Sequence, residues 1–136
     1  MTTTEKLAIM CIIAIMIFCL VWAADPINQK PDAVILASWY SEESVKLEGS
    51  SGVMANGHNF DDTKYTCASW DFPFGTSLLV TNRRNGRNVQ AVVTDRGPAK
   101  RLYREGRKID LSKGAFAQIS DLKWGVIPVK IKEINE

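Results

Sequence analysis

The sequence predicts a mainly β domain, a small barrel or sandwich, and three observations point there. Apolar segments are short and bounded by glycine-rich polar stretches. One Asn-Gly pair separates two alternating runs, and a single segment carries a convincing helical stripe. At 136 residues the chain has length for one domain once its N-terminal segment is set apart.

That segment comes first. Residues 7–24 read LAIMCIIAIMIFCLVWAA, with Glu5 and Lys6 the charges before it. A run so long and apolar does not belong inside a small soluble core; it is a secretory signal or a membrane-anchoring helix. Val21 and Ala23 supply small residues for a cut after Ala23, while eighteen apolar residues at about 1.5 Å each could also just span a bilayer. Residues 1–23 are therefore read as signal peptide or anchor, and the chain is expected to be exported to the periplasm or cell envelope. Contact with a membrane is expected only through this segment, if it is uncleaved. Lipid attachment is not favoured, because Cys11 and Cys19 follow Met10 and Phe18 rather than small residues. Residues 24–32, with Pro26 and Pro31, form a linker, and the folded domain is expected over 33–136.

Within the domain, AVILASWY at 33–40 reads as a buried strand. Residues 41–59 are polar and glycine-bearing and read mainly as loop. Leu78 and Val80 alternate with Leu79 and Thr81; Val89, Ala91 and Val93 share one face of the next run. Asn85-Gly86 between them predicts a hairpin with a type I′ turn, whose central residues both need positive φ. Ser112 can cap a helix whose stripe is Ala115, Phe116 and Ile119. A last strand turns Val129 and Ile131 inward and Lys130 and Lys132 outward, with Pro128 suggesting an edge or a bulge.

Cys67 is the one cysteine of the domain, so no disulfide can form within it and the thiol is expected to be a small buried hydrophobe. Charge is uneven. Residues 83–108 carry nine Lys or Arg against Asp95 and Glu105, whereas residues 24–82 carry three Lys against eight acids. Such a basic stripe suits an anionic polymer. In an exported protein that means cell-wall glycan or lipid headgroups rather than nucleic acid. No cofactor motif is visible. His58 is the single histidine and lacks neighbours at ligand spacing, so no metal site is expected.

Six segments in register carry a resemblance: ASWY at 37–40, ANGHNFD at 55–61, PFGT at 73–76, VTNRRNGR at 80–87, TDRGP at 94–98 and IDLS at 109–112. Together they resemble the RlpA (rare lipoprotein A) family over roughly residues 33–134. The resemblance implies a six-stranded double-psi β-barrel with one or two short helices, related to the expansin barrel and to some lytic transglycosylases. It implies cleavage of peptidoglycan glycan strands, without a cofactor, and no partner beyond the glycan is specified.

Two acids stand on ordered backbone. Asp95 ends a strand before Arg96-Gly97-Pro98, and Asp110 precedes the helix cap. Brought together and partly buried, one of them would hold a proton near neutrality. In a lytic transglycosylase a single carboxyl can serve as acid and then base while the sugar's own 6-hydroxyl attacks the anomeric carbon. By similarity Asp110 is the first choice for that role and Asp95 the second. Ser38, Tyr40, His58, Asp61, Ser69, Trp70 and Arg96 are the expected substrate-binding neighbours, with Tyr40 and Trp70 as platforms for sugar faces. The chain departs from the family pattern at two of them. His58 stands where Glu is usual and Ser69 where His is usual, so a barrel that grips glycan without cutting it is the alternative.

Overall fold

A computed structural model describes residues 1–10 and 33–134. Residues 3–10 are helical; the rest of the expected signal or anchor helix and the linker lie outside the described residues. Among the described residues no helix is long and apolar enough to cross a membrane. The chain divides into two units, Met1–Ala33 and Val34–Glu136, and the second contains the barrel.

Six strands close into one sheet in the order β1-β5-β2-β4-β3-β6. They are β1 (Ile35–Tyr40), β2 (Thr66–Ser69), β3 (Ser77–Asn82), β4 (Asn88–Asp95), β5 (Arg107–Ser112) and β6 (Val126–Glu133). β1 runs parallel to β5 and β2 parallel to β4; the remaining neighbours are antiparallel. Strict alternation on β3 and β4 sends Leu78, Val80, Val89, Ala91 and Val93 to the interior, where they meet Ile109, Leu111, Ile127 and Val129. Each such large side chain contributes about 1.5–3 kcal/mol by leaving water. Cys67 is fully buried among them, and burial pushes its thiol up to about 12.

Three short α-helices and one 3₁₀ turn are interspersed: α1 (Glu42–Leu47), α2 (Lys100–Arg104), α3 (Lys113–Ile119) and Leu122–Trp124. α3 is the helix expected from its stripe; Ser112 Oγ accepts the Ala115 N–H and Ala115, Phe116 and Ile119 are buried. The other helices exceed the one or two anticipated, and α1 corrects the loop reading of residues 41–59. A capping box between Ser41 and Ser44 starts α1, and none of its residues is buried, so it shows no apolar stripe.

The β3–β4 hairpin is present, but its turn differs from type I′. Of residues 83–86 only Gly86 has positive φ, at 74°. The Gly86 N–H donates to the Asn82 carbonyl, and Asn82 donates in turn to Arg87. A four-residue loop wins because both Asn82 and Asn85 direct Nδ2 to the Ile119 carbonyl, at 2.8 and 3.0 Å, tying the turn to the end of α3. Pro128 marks no edge either: β6 pairs with β1 and β3. The Leu36 N–H opposite it donates to Gly106, so the β1 side asks no donor of Pro128. On the other side the Pro128 carbonyl accepts from Arg83, one residue beyond the end of β3, and the missing reciprocal bond falls outside that strand.

Candidate active site

Ser38, Asp110, Ala68 and Asp95 form a row across four neighbouring strands. Ser38 on β1 pairs with Asp110 on β5; Asp110 pairs with Ala68 on β2; Ala68 pairs with Asp95 on β4. The two acids thus flank one alanine, their backbones about 10 Å apart across the sheet at two strand spacings. All four residues line one open groove of about 480 Å³. Small residues make the approach possible: a Cβ on Gly97 would lie 3.2 Å from Ala68 Cβ and 3.6 Å from Asp110 Oδ2.

The two carboxyls have different surroundings. Asp110 is largely buried, and that burial holds its carboxyl above the usual range. The Ser38 hydroxyl, which donates to Oδ1, and the Arg107 charge act against the rise, while Glu48 and Asp95 add to it. Asp95 Oδ1 instead accepts two backbone N–H groups, from Ala55 at 2.9 Å and Arg96 at 2.8 Å. Burial thus disfavours the charged form of Asp110, while Asp95 is held in place through Oδ1 by two backbone donors.

Tyr40 lines the same groove, but its ring is no free platform. Phe60 stacks on the ring, with centroids 4.3 Å apart and planes 9° apart. The hydroxyl is buried without a hydrogen-bond partner, and burial together with the Asp95 charge pushes the phenol above its usual value. Arg96 lines the groove, yet its Nη1 is engaged by the Ser69 and Phe72 carbonyls at 2.7 and 2.8 Å, and its guanidinium lies over Phe74.

The remaining expected residues stand outside the groove lining. His58 is exposed on its loop, its N–H held by Asn56. Asp61 accepts from Thr63, which lowers its pKa, and lies near Lys64. Ser69 is buried, and its Oγ accepts the Asp71 N–H. Trp70 is partly exposed; its Nε1 donates to the Pro98 carbonyl, and Lys100 Nζ sits 3.4 Å above its ring. Sequence reasoning missed Glu48 and Arg107, which do line the groove. Glu48 follows the unforeseen α1, and Arg107 was read only as part of a charge run. Glu42, Asp61 and Asp62 also gather one carboxylate oxygen each within 4.8 Å, a cluster that chain spacing did not suggest.

Residues 32–131 match the family described as lytic transglycolase, whose domain is the double-psi barrel. The chain belongs to this RlpA-like family. It is 40% identical over 99 residues to the probable endolytic peptidoglycan transglycosylase RlpA of Aquifex aeolicus, covering 73% of this chain and 40% of that one. It is 38% identical over 101 residues to the endolytic peptidoglycan transglycosylase RlpA of Campylobacter jejuni, covering 74% and 33%. The chain thus spans well under half the length of these RlpA relatives. Among solved structures, the Streptomyces papain inhibitor has a TM-score of 0.56 at 24% identity, covering 75% of this chain and 93% of that one. A Clavibacter michiganensis expansin mutant in complex with cellohexaose scores 0.53 at 21% identity, covering 76% and 50%. At such identities the likeness shows the fold alone.

Proposed function

We propose that this barrel cleaves peptidoglycan glycan strands as a lytic transglycosylase, with Asp110 as the proton-carrying group. The observation that carries the reading is the buried carboxyl of Asp110 on the groove floor, held above the usual carboxylate range. Ser38 occupies Oδ1, leaving Oδ2 to bear the proton. Neutral Asp110 donates that proton to the glycosidic oxygen as the bond to the anomeric carbon breaks. The carboxylate so formed takes the proton of the 6-hydroxyl, whose oxygen bonds to the anomeric carbon and closes a 1,6-anhydro ring. Asp95, whose Oδ1 is held by the Ala55 and Arg96 N–H groups, faces the sugar from the same groove. The names of the RlpA relatives support this substrate. The reading carries with it export to the envelope through the apolar N-terminal run.

The full chain in mild detergent, incubated with sacculi, should release 1,6-anhydromuropeptides detectable by mass spectrometry. Asp110→Asn should abolish the release, and an unchanged rate would remove Asp110 from the mechanism. A second reading, a barrel that grips glycan without cutting it, is favoured by one observation. His58 and Ser69, which stand where the family pattern has Glu and His, do not line the groove. Its signature is co-sedimentation with sacculi and no anhydro product.

A further inference from the structure

The segments that flank the groove carry opposite net charge, and of their charged residues Glu48, Arg96 and Arg107 line the groove itself. β1 and β5 run parallel with Ser38 opposite Asp110, so the segment after β1 and the segment before β5 leave on opposite sides of the acid row. The first is α1, from which Val45 and then Glu48 reach the groove; the second is α2, from which Ala99, Leu102 and then Arg107 reach it. Residues 42–48 hold Glu42, Glu43 and Glu48 against Lys46, a net charge of −2. Residues 96–108 hold Arg96, Lys100, Arg101, Arg104, Arg107 and Lys108 against Glu105, a net charge of +5.

Little of that positive charge is neutralised. Among the described residues, Arg101 is the one of these cations in an ion pair, with Glu105 at 2.9 Å. Lys100 and Lys108 instead rest over the rings of Trp70 and Tyr103, at 3.4 and 3.5 Å. Such contacts hold an ammonium in place and leave its charge available.

We propose that the α2 bank is a carboxylate-binding ledge that orients the glycan strand. The strand's acidic substituents face Lys100, Arg104 and Arg107, and its uncharged edge faces the acidic α1 bank. The inference rests on the groove being the glycan site and adds the substituent that it recognises. Carboxylates on such a strand have two sources, the lactyl groups of muramyl residues that carry no peptide and, where a peptide is attached through that lactyl group, the stem peptide itself.

The test uses the full chain in mild detergent and three forms of the same oligosaccharide: peptide-bearing, amidase-stripped so that lactyl carboxylates remain, and stripped with those carboxyls amidated. Affinity for the stripped form should fall with salt, and affinity for the amidated form should not. Lys100→Gln/Arg104→Gln should weaken carboxyl-bearing strands by about fivefold and amidated strands by less than about twofold. An effect confined to the peptide-bearing form assigns the ledge to stem peptides. An effect confined to the stripped form, where the lactyl carboxyl is freed from its amide bond to the peptide, assigns it to lactyl groups; an equal effect on both shows that the ledge takes either carboxylate. Equal affinity for stripped and amidated strands, with a double variant indistinguishable from wild type, overturns the ledge and leaves the glycan site standing. Failure to bind any of the three forms overturns both.

Discussion

Gly114, in the first turn of α3, sets two effects of opposite sign against each other. Helix propensity favours Gly114→Ala by about 1 kcal/mol. Sterics oppose it, because a Cβ there would lie 2.9 Å from the carbonyl oxygens of both Asp62 and Thr63. Both are backbone atoms and cannot swing aside, and the Gly114 N–H already donates to the Asp62 carbonyl at 2.8 Å. Relieving the contact means moving residues 61–64 away from α3, at about 1–3 kcal/mol for overpacking and about 1 kcal/mol for the stretched hydrogen bond. Sterics win, and the variant should be less stable by about 1–3 kcal/mol. In urea, with a slope of about 1–1.5 kcal/mol per molar for a domain of this size, the midpoint should fall by about 1–2 M at constant slope. Ala117→Gly, at an exposed site of the same helix, isolates the propensity term at about 1 kcal/mol. A midpoint for Gly114→Ala at or above wild type would refute the steric argument and show that the 61–64 loop yields freely.

Asp110 makes stability depend on pH. Its native pKa lies above its ordinary 3.8, so the folded state binds this proton more tightly than the unfolded state. The stabilisation is complete below 3.8 and is lost as pH rises through the native value. Asp110→Asn should therefore gain on wild type in urea melts between pH 4 and pH 7, and a constant difference would contradict the burial argument. Tyr40→Phe removes an unpartnered hydroxyl and keeps the stack on Phe60, so it should raise stability by about 1 kcal/mol; a loss of that size would reveal a partner for the hydroxyl. In a Cys11→Ser/Cys19→Ser background, Cys67 should resist a thiol reagent at pH 8 until guanidinium unfolds the barrel, because burial pushes it up to about 12. Rapid native labelling would sink that expectation.

The parts of the fold legible in the sequence are those written in local periodicity. Leu78 to Thr81, Val89 to Val93 and the stripe of α3 each declare a face, and each face proved to be the buried one. α1 and α2 escape such reading because neither buries a side chain. They are held by caps and by their neighbours, and Leu47 on α1 is 82% exposed. Closure of the barrel is likewise absent from any local window, since it depends on β1 pairing with both β5 and β6. At the site, Asp95 and Asp110 stand out as strand residues beside recognisable turns, whereas Ser38, in mid-strand, is reached through the resemblance alone. His58 and Asp61 could not be placed, because the loop carrying them is positioned by scattered hydrogen bonds such as Met54 to His58 and Phe60 to Gly52. The hairpin shows the same limit: a turn type inferred from two residues gave way to a carbonyl more than thirty positions downstream.

Because Ala68 is the ladder neighbour of both Asp95 and Asp110, the gap between the two carboxyl-bearing backbones is a property of the sheet itself. No hinge lies between them, and side-chain rotation changes the gap only at its margins. A ligand that touched both acids would have to match that spacing. Evolution can vary the helices and loops around the trough, and hence which substituents are admitted, without disturbing that measure.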